Sequence, residues 1–263
     1  MLVRKYTGSN NKKSSPGDKL IYKTQGSVIV PCMETGTLYI IATPIGNLGD
    51  ITVRAIDTLK HTAGVIYCED TRQTRKLLDH YGIATATQSL HTHSSPRTIE
   101  GAINHLLAGT SVAYVTDSGT PGLSDPGSKL VSAARARGIP VCPVPGPSAL
   151  TAIVSISGYR GKNIAFAGFL SKKENKRKAE LSALKEFDGM IVLYESPYRI
   201  KKLLHAIKEV FPGRDLLIGR EMTKFHEEFI FGSIEKLISD IRDIKEKGEF
   251  TVTIFNNKHD IKI

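Results

Sequence analysis

Short apolar runs alternate with amphipathic stretches along the chain from residue 37 onward. The apolar runs predict strands at residues 37–42, 64–69 and 111–116. Apolar positions that recur every three or four residues predict helices at residues 51–60, 71–80, 97–108, 128–137 and 147–157. Because strands and helices alternate, we expect a largely parallel sheet covered by helices.

A second pattern begins after residues 157–163, which have no strong periodicity and mark a domain junction. Two neighbouring strands, at residues 215–220 and 226–231, indicate a hairpin and therefore a mixed sheet. Further strands are predicted at residues 164–167, 190–195 and 250–256, and helices at residues 175–187, 198–210 and 234–245.

The chain is therefore predicted to have three parts. Residues 1–35 form a basic extension, residues 36–158 an N-terminal α/β domain and residues 163–257 a C-terminal α/β domain. The formal net charge is +10, and residues 1–32 contribute half of it, with six cations against one acid. We expect the extension to be disordered. The positive charge of the whole chain favours a polyanionic partner.

Composition excludes several classes of protein. No apolar run reaches the roughly 20 residues of a membrane-spanning helix, and the first residues lack the apolar centre of a signal peptide. Three cysteines without a C-x-x-C spacing fit a reducing compartment, so we expect a cytoplasmic protein. The eight histidines show no close metal-ligand pattern, and we predict no metal site.

Glycine-rich turns follow three strand-forming runs. They lie at residues 42–50 (ATPIGNLGD), 116–127 (TDSGTPGLSDPG) and 145–148 (PGPS). The first lacks both the G-x-G-x-x-G spacing of dinucleotide-binding loops and the Gly-Lys-Ser/Thr ending of phosphate loops, so by itself it fits a tight turn equally well. Because open parallel sheets bind ligands at the carboxyl ends of their strands, we expect the three turns to frame one cleft.

Charged side chains cluster at further strand ends. Glu69 and Asp70 lie where a dinucleotide-binding fold carries its ribose-binding acid, but Asp70 fits a helix cap equally well. Residues 172–178 (KKENKRK) hold five cations and one acid, which fits either a phosphate-binding patch or a solvated helix start. Residues 194–199 (YESPYR) and 219–228 (GREMTKFHEE) fit either a functional site or surface ion pairs.

Taken in order, the segments at residues 42–50, 69–72, 116–127, 145–148 and 194–197 resemble those of the tetrapyrrole methylase superfamily. The resemblance runs from residue 36 to residue 256. It implies two α/β domains of the tetrapyrrole methylase type with the cofactor cleft between them, S-adenosylmethionine as methyl donor, and a homodimer. In the branch that the chain resembles, the acceptor is a cytidine 2'-hydroxyl in the decoding region of 16S ribosomal RNA in the small ribosomal subunit. The ribose-binding interpretation of Glu69 and Asp70 is then dropped.

The resemblance also implies roles for particular residues. Methyl transfer needs the ribose oxygen in line behind the sulfonium methyl group, and it needs a group that accepts the hydroxyl proton. Asp70 is the first candidate for that proton acceptor, and Lys224, which could instead hold a phosphate, is the second. The expected cofactor-site residues are Pro44, Asp117, Gly119, Thr120, Leu123, Ser148, Ala149, Tyr194 and Gly219. The expected RNA-binding residues are Arg72, Lys172, Lys173, Lys176, Arg177, Lys178 and Arg199.

Two other functions stay open at this point. The same fold supports several acceptors, so the chain could methylate a tetrapyrrole carbon. It could also be a noncatalytic RNA-binding factor of ribosome assembly that keeps the cleft. The basic patch at residues 172–178 disfavours the first of these alternatives.

Overall fold

The computed structural model describes residues 35–91, 94–123 and 127–257. The predicted basic extension at residues 1–35 lies outside these ranges apart from Thr35. The described residues belong to one compact unit, Met33–Ile263. The division into an N-terminal and a C-terminal domain stays a prediction.

The first half of the described chain contains five strands and five α-helices. The strands are β1 (Leu38–Ile41), β2 (Val65–Cys68), β3 (Thr87–Ser89), β4 (Val112–Val115) and β5 (Val141–Val144). The helices are α1 (Val53–Asp57), α2 (Thr71–His80), α3 (Pro96–Leu107), α4 (Gly127–Ala136) and α5 (Ala149–Ile156), with a 3-10 turn at Leu48–Asp50 and a π-helical turn at Thr58–Thr62.

The first sheet is parallel throughout, with strand order β3-β2-β4-β1-β5. Side chains alternate between its faces, as the two-residue repeat of a strand requires. Ile66 and Cys68 of β2 pack with α1 and α2, whereas Val65 and Tyr67 pack with α3 and α4. Helices lie on both faces, and the predicted parallel sheet covered by helices is therefore confirmed.

The second half contains a mixed sheet with the order β6-β7-β10-β8-β9. Its strands are β6 (Ile164–Phe169), β7 (Gly189–Glu195), β8 (Asp215–Arg220), β9 (Glu228–Ser233) and β10 (Phe250–Asn256). Only the β6–β7 pair is parallel within this sheet. The helices α6 (Glu174–Ala183), α7 (Ile200–Val210) and α8 (Ile234–Ser239) cover one face.

The other face of the second sheet packs against the first half of the chain. Ile45 and Ile153 of the first half form one apolar cluster with Met190, Val192 and Leu217 of the second. The cluster removes both surfaces from water, and burial of this kind is the main favourable term in folding. The ends of both sheets are thereby held close together.

Most element predictions are confirmed, and three of them, α2, β8 and β10, have the predicted bounds. The hairpin is also confirmed, because β8 pairs with β9 in antiparallel register. The short polar strand β3 was not predicted. The largest differences are at the ends of α6 and α8, which stop at Ala183 and Ser239 instead of at residues 187 and 245. After α6, the Asn256 side-chain amide donates to the carbonyls of Lys185 and Phe187 at 3.0 and 2.7 Å, a long-range contact that no local pattern reveals.

Candidate active site

The loops that follow β1 and β4 are joined at the edge of the first sheet. The backbones of Thr43 and Gly119 exchange two hydrogen bonds of 3.0 Å. The Thr43 hydroxyl donates to the Thr116 carbonyl at 3.1 Å, and the Thr116 hydroxyl donates to the Gly119 carbonyl at 3.3 Å. Both threonines are buried, so their satisfied hydroxyls hold the two loops together.

The loop after β4 also contacts the start of α5. Gly119 has a φ of +80°, a conformation that is costly for residues with a Cβ atom. The neighbouring Thr120 hydroxyl donates to the Pro147 carbonyl at 3.0 Å. Three strand-end segments that were predicted to frame one cleft therefore make direct contacts with one another.

A pocket of about 390 Å³ opens at this edge, within the usual size range of small-molecule sites. Its wall combines apolar groups with the acidic residues Glu69, Asp117, Glu195 and Glu249. Seven of the nine expected cofactor-site residues line it: Asp117, Gly119, Thr120, Leu123, Ser148, Ala149 and Tyr194.

A second pocket of about 440 Å³ shares part of this wall, including Ile45 and Asp117. Pro44, the eighth expected cofactor-site residue, lines the second pocket, as does Lys224. The two pockets therefore form neighbouring parts of one cleft.

Gly219, the ninth expected cofactor-site residue, lines neither pocket. A Cβ atom at this position would lie 2.7 Å from the Met222 sulfur and 2.9 Å from Ile153 Cδ1, so Gly219 packs within the apolar cluster. Its expected position in the wall is corrected accordingly. The neighbouring strand β10 supplies Phe250 and Thr251 to the pocket instead.

Tyr194 connects the second sheet to α5. Its hydroxyl accepts a hydrogen bond of 3.0 Å from the backbone N–H of Leu150. Burial raises the pKa of this phenol, so it stays neutral. Its ring lies edge-on to the rings of Phe166 and Phe169, with centroid separations of 4.8 and 5.7 Å.

Asp70 caps α2 and forms an ion pair with Arg72. Its Oδ1 accepts from the Arg72 backbone N–H at 2.8 Å, and its Oδ2 lies 2.8 Å from Arg72 Nη2. The side-chain and backbone hydrogen bonds from Arg72 lower the pKa of Asp70 to about 2. A carboxylate held this far below its ordinary pKa is a weak proton acceptor near neutral pH. Asp70 lines neither pocket.

Asp117 has the opposite electrostatic environment. Its Oδ1 accepts a hydrogen bond of 3.0 Å from the Asp70 backbone N–H. Burial of part of the side chain, with a smaller contribution from the charge of Asp70, raises the pKa of Asp117. Asp117 lines both pockets, and its raised pKa makes its carboxylate a stronger proton acceptor than that of Asp70.

Lys224 lies between two acids of the second half. Its Nζ is 2.9 Å from Glu221 Oε1 and 2.9 Å from Glu249 Oε2. Burial lowers its pKa, but the hydrogen bonds to Glu249 and Glu221 outweigh that effect and the net pKa is raised. The ammonium therefore stays protonated, which fits a cationic role better than the role of a base.

The turn that carries Lys224 is strained and contacts the loop after β1. Glu221 and Thr223 have φ values of 50° and 65°, which are uncommon for residues other than glycine. The Thr223 hydroxyl accepts from the Asn47 backbone N–H at 3.0 Å. At Gly46, a Cβ atom would lie 2.4 Å from Lys224 Cγ, so this glycine makes room for the lysine side chain.

The expected RNA-binding cations differ widely in accessibility. The Arg72 side chain is 87% exposed although it pairs with Asp70. Lys172 and Lys173 are exposed and form no ion pair with any residue within the described ranges. Lys176 lies 4.0 Å from Glu180, and Lys178 forms ion pairs with two acids, Glu174 and Glu209.

Arg177 is buried and Arg199 is partly buried in the second half, where both bind backbone carbonyls, which corrects their expected role as exposed surface contacts. Arg177 is 4% exposed, and its Nη1 donates to the carbonyls of Ser171 and Lys172 at 3.5 and 3.4 Å. Arg199 Nη2 lies 2.5 Å from Oε1 of the buried Glu195, and Arg199 Nη1 donates to the Leu170 carbonyl at 3.2 Å. The lysines on either side of Arg177 in the sequence gave no local sign of this burial.

The described parts of the chain hold neither a metal site nor a membrane span. Residues 35–91, 94–123 and 127–257 contain no group of three or more His, Cys, Asp or Glu side chains placed to hold a metal ion. Within the same ranges, no helix has the length and apolarity required to cross a membrane. Cys68 and Cys142 are free thiols.

The family model described as Tetrapyrrole (Corrin/Porphyrin) Methylases matches residues 37–238. The chain belongs to the tetrapyrrole methylase family. The family predicted from the strand-end segments is thereby confirmed. The match covers every strand of both sheets except β10, and every helix except for the last residue of α8.

Two curated relatives of this tetrapyrrole methylase carry the name ribosomal RNA small subunit methyltransferase I. The protein from Leptospira biflexa is 42% identical over 87% of this chain and 95% of its own length. The protein from Borrelia garinii is 46% identical over 82% of this chain and 97% of its own length.

A solved structure of uroporphyrin-III C-methyltransferase from Thermus thermophilus, in complex with S-adenosylhomocysteine, is similar in fold. It superposes with a TM-score of 0.58 at 18% identity and covers 83% of this chain and 97% of its own chain. The predicted fold class, two α/β parts of the tetrapyrrole methylase type, is confirmed.

Proposed function

We propose that this tetrapyrrole methylase transfers a methyl group from S-adenosylmethionine to the 2'-hydroxyl of a cytidine in the decoding region of 16S ribosomal RNA. The observation that carries the proposal is the 42% and 46% identity, over almost their full lengths, to relatives named ribosomal RNA small subunit methyltransferase I. The demethylated product of the same donor is bound in the uroporphyrin-III C-methyltransferase structure of similar fold.

The chemistry of the 390 Å³ pocket fits S-adenosylmethionine. The donor carries two positive groups, a sulfonium and an ammonium, and the acidic residues of the wall complement them. The apolar side chains of Ile45, Leu123 and Phe250 offer a surface for an adenine ring. When bound, the donor supplies an electrophilic methyl group; the residues of the wall supply its orientation.

The residues of the cleft position the reacting groups. The contacts among Thr43, Thr116 and Gly119 hold the loops rigidly, and correct placement of two reactants removes much of the entropic barrier to their reaction. Asp117, with its raised pKa, is the carboxylate that we propose as acceptor of the ribose hydroxyl proton. Asp70, the first candidate from the sequence, then holds the Asp117 carboxylate through its backbone N–H.

The proposed function is tested by mass mapping of 16S ribosomal RNA from cells that lack this protein. We expect one cytidine ribose methyl group to be absent, and we expect purified wild-type protein with S-adenosylmethionine to restore it on isolated small subunits. A map identical to that of the parent cells would overturn the proposal.

The same assay separates the alternatives. A tetrapyrrole methylase would transfer the methyl group to a carbon of uroporphyrin-III and leave the small subunit unmodified. A noncatalytic assembly factor would bind the small subunit without transfer to either acceptor. The exposed Lys172 and Lys173 support RNA as the acceptor, because cations that lack an ion-pair partner in the described chain are available to phosphates.

We propose further that the protein acts as a homodimer on the small ribosomal subunit or its RNA in the cytoplasm. The dimer is supported by the family resemblance and by exposed apolar side chains, such as Ile156 and Ile164, which are 50% and 42% exposed. Sedimentation of the purified protein tests it: a species with the mass of one chain at micromolar concentration would contradict the dimer.

A further inference from the structure

A β-bulge in β6 changes the face on which Phe169 lies. Ala165 pairs with Ile191 and Phe166 with Val192, but the register then shifts, so that Gly168 pairs with Leu193 and Phe169 with Tyr194. Gly168 has a φ of +62°, which glycine adopts readily. Because side chains alternate along a strand, one extra residue moves the next side chain to the other face.

The consequence for Phe169 can be followed through the packing. Phe166 packs with the apolar cluster between the two halves of the chain, and Ala165 and Ala167 pack on the helix-covered face. Strict alternation would direct Phe169 to the helix-covered face. The bulge directs it instead to the cleft, where it lines the pocket beside Tyr194.

The ring of Phe169 is unusually accessible for a large apolar side chain. Phe169 is 55% exposed, and its ring meets Tyr194 edge-on at an interplanar angle of 64°. More than half of Phe169 is therefore available to a partner beside the pocket. An exposed phenylalanine costs solvation free energy unless a partner covers it.

The loop that follows Phe169 is held by the buried Arg177 and the partly buried Arg199. Arg199 donates to the Leu170 carbonyl, and Arg177 donates to the next two carbonyls, those of Ser171 and Lys172. The Ser171 backbone N–H donates to Glu180 Oε2 at 2.8 Å. The loop is therefore fixed with Lys172 and Lys173 exposed, close in sequence to the Phe169 ring.

We infer that Phe169, Lys172 and Lys173 form an edge, called here the RNA edge, that binds single-stranded RNA beside the acceptor ribose. A nucleobase stacks on Phe169 while the two lysines bind neighbouring phosphates, which is how proteins hold unpaired RNA without reading its sequence. Arg177 and Arg199 are positioning residues for this edge. The inference rests on the proposed function for the identity of the acceptor, and it adds the groups that hold the strand.

The ring is tested with Phe169→Ala, Phe169→Tyr and the control Phe229→Ala, which removes an aromatic ring that is 43% exposed on β9 and lines neither pocket. Loss of one stacked base should raise the KM for small subunits about tenfold in Phe169→Ala. Because Phe169 also lines the pocket proposed for the donor, we expect the donor Kd, measured by calorimetry, to rise by a smaller factor than the KM for small subunits. Tyrosine should restore the KM, and Phe229→Ala should behave as wild type.

The lysines are tested by the salt dependence of binding to a fluorescein-labelled, cytidine-rich single-stranded RNA. Each phosphate contact contributes about 0.7 to the slope of log K against log salt concentration, so Lys172→Ala/Lys173→Ala should reduce the slope by about 1.4. Phe169→Ala should weaken binding with the slope unchanged, because it removes no charge.

The outcomes separate the inference from the proposed function. A donor Kd that rises in Phe169→Ala as much as the KM for small subunits would limit the ring to a role in donor binding and overturn the inference, as would an unchanged RNA affinity. If the wild type methylates no RNA, the proposed function fails. Binding of the fluorescein-labelled RNA, measured by fluorescence anisotropy, then still decides whether the RNA edge binds RNA.

Discussion

The backbone N–H of Asp70 donates a hydrogen bond of 3.0 Å to Asp117 Oδ1, and this bond joins the end of β2 to the end of β4. The two carboxylates have opposite electrostatic environments. The pKa of Asp70 is lowered to about 2 by hydrogen bonds from Arg72, whereas the pKa of Asp117 is raised by burial. Proximity in the cleft therefore does not make the two acids equivalent.

The first prediction concerns the proton acceptor. Asp117→Asn should lower kcat for small-subunit methylation by about 10²–10⁴, the usual contribution of a general base, whereas Asp70→Asn should lower it by less than tenfold. A base must be deprotonated, so wild-type activity should rise with pH through the raised pKa of Asp117. Single-turnover rates across the pH range measure both effects.

The two variants serve as controls for each other, since each removes one carboxylate charge at the same edge of the sheet. Donor affinity and far-ultraviolet circular dichroism establish that each is folded. Complete loss of turnover in a folded Asp70→Asn protein that still binds the donor would return the role of base to Asp70.

The second prediction concerns Gly119, whose φ is +80°. Gly119→Ala places a Cβ atom in the left-handed region at a cost of about 1–2 kcal/mol. If the loop relaxes to avoid the strain, part of the donor's binding free energy is used to restore the conformation that binds it. The Kd for the donor should therefore rise about 5–30-fold. Isothermal titration calorimetry with S-adenosylhomocysteine measures the change.

Gly138→Ala is the matched control. Gly138 has a φ of +68° and lies after α4, where an added Cβ atom would have no heavy atom within 4 Å. Gly138→Ala should lose about as much stability as Gly119→Ala, with no loss of donor affinity. Equal donor affinities for the two variants would show that the loop geometry at Gly119 does not matter for the donor.

The third prediction concerns Arg199 and the buried Glu195. Arg199→Met leaves the Glu195 carboxylate, which is 1% exposed, without its cationic partner. Removal of one partner of a buried ion pair costs about 3–5 kcal/mol, so the free energy of unfolding in urea should fall by that amount. Arg137→Met is the control. The side chains of Arg137 and its partner Glu100 are 37% and 51% exposed, so this ion pair should contribute less than about 1 kcal/mol to the free energy of unfolding. Unchanged stability in Arg199→Met, together with weaker RNA binding, would instead support a surface role for this arginine.

The fourth prediction concerns the pH dependence of the turn that holds Lys224. Burial raises the pKa of Glu221, but hydrogen bonds from Lys224 and the Glu249 backbone outweigh it, and the net pKa is lowered. A carboxylate whose pKa is lower in the folded than in the unfolded protein stabilises the fold at pH values above its pKa in the unfolded protein. That stabilisation is lost as the pH falls through its pKa in the folded protein. Glu221→Gln should therefore be about 1–2 kcal/mol less stable than wild type near neutral pH, with the difference vanishing in acid.

Urea unfolding of both proteins at neutral pH and below about pH 4 measures this difference. The pKa of Lys224 is raised in the folded protein, so the stability that Lys224 contributes is lost only as the pH rises through that raised pKa. It therefore does not affect the comparison in acid. Glu100→Gln, at an exposed pair, should show little difference at either pH. A Glu221→Gln difference that persists in acid would show that the ion pair is not its cause.

Periodicity and turn chemistry were sufficient to predict α2, β8 and β10, because local sequence determines where a helix or strand begins. They did not predict β3, a polar edge strand of three residues. Nor did they predict the end of α6, which is followed by a segment that Asn256, more than 60 residues away, holds through two hydrogen bonds. Contacts between distant segments have no signature in either segment alone.

The sequence by itself determined the family, the two α/β patterns and the strand-end loops that frame the cleft, since these depend on local residue order. Only the tertiary structure decided which charged groups are available. It buried Arg177, paired Arg199 with the buried Glu195, lowered the pKa of Asp70 and raised that of Asp117. It also turned Phe169 toward the cleft through one extra residue in β6. The physical reason is that desolvation, ion pairing and strand register depend on which distant residues become neighbours, and folding alone brings those neighbours together.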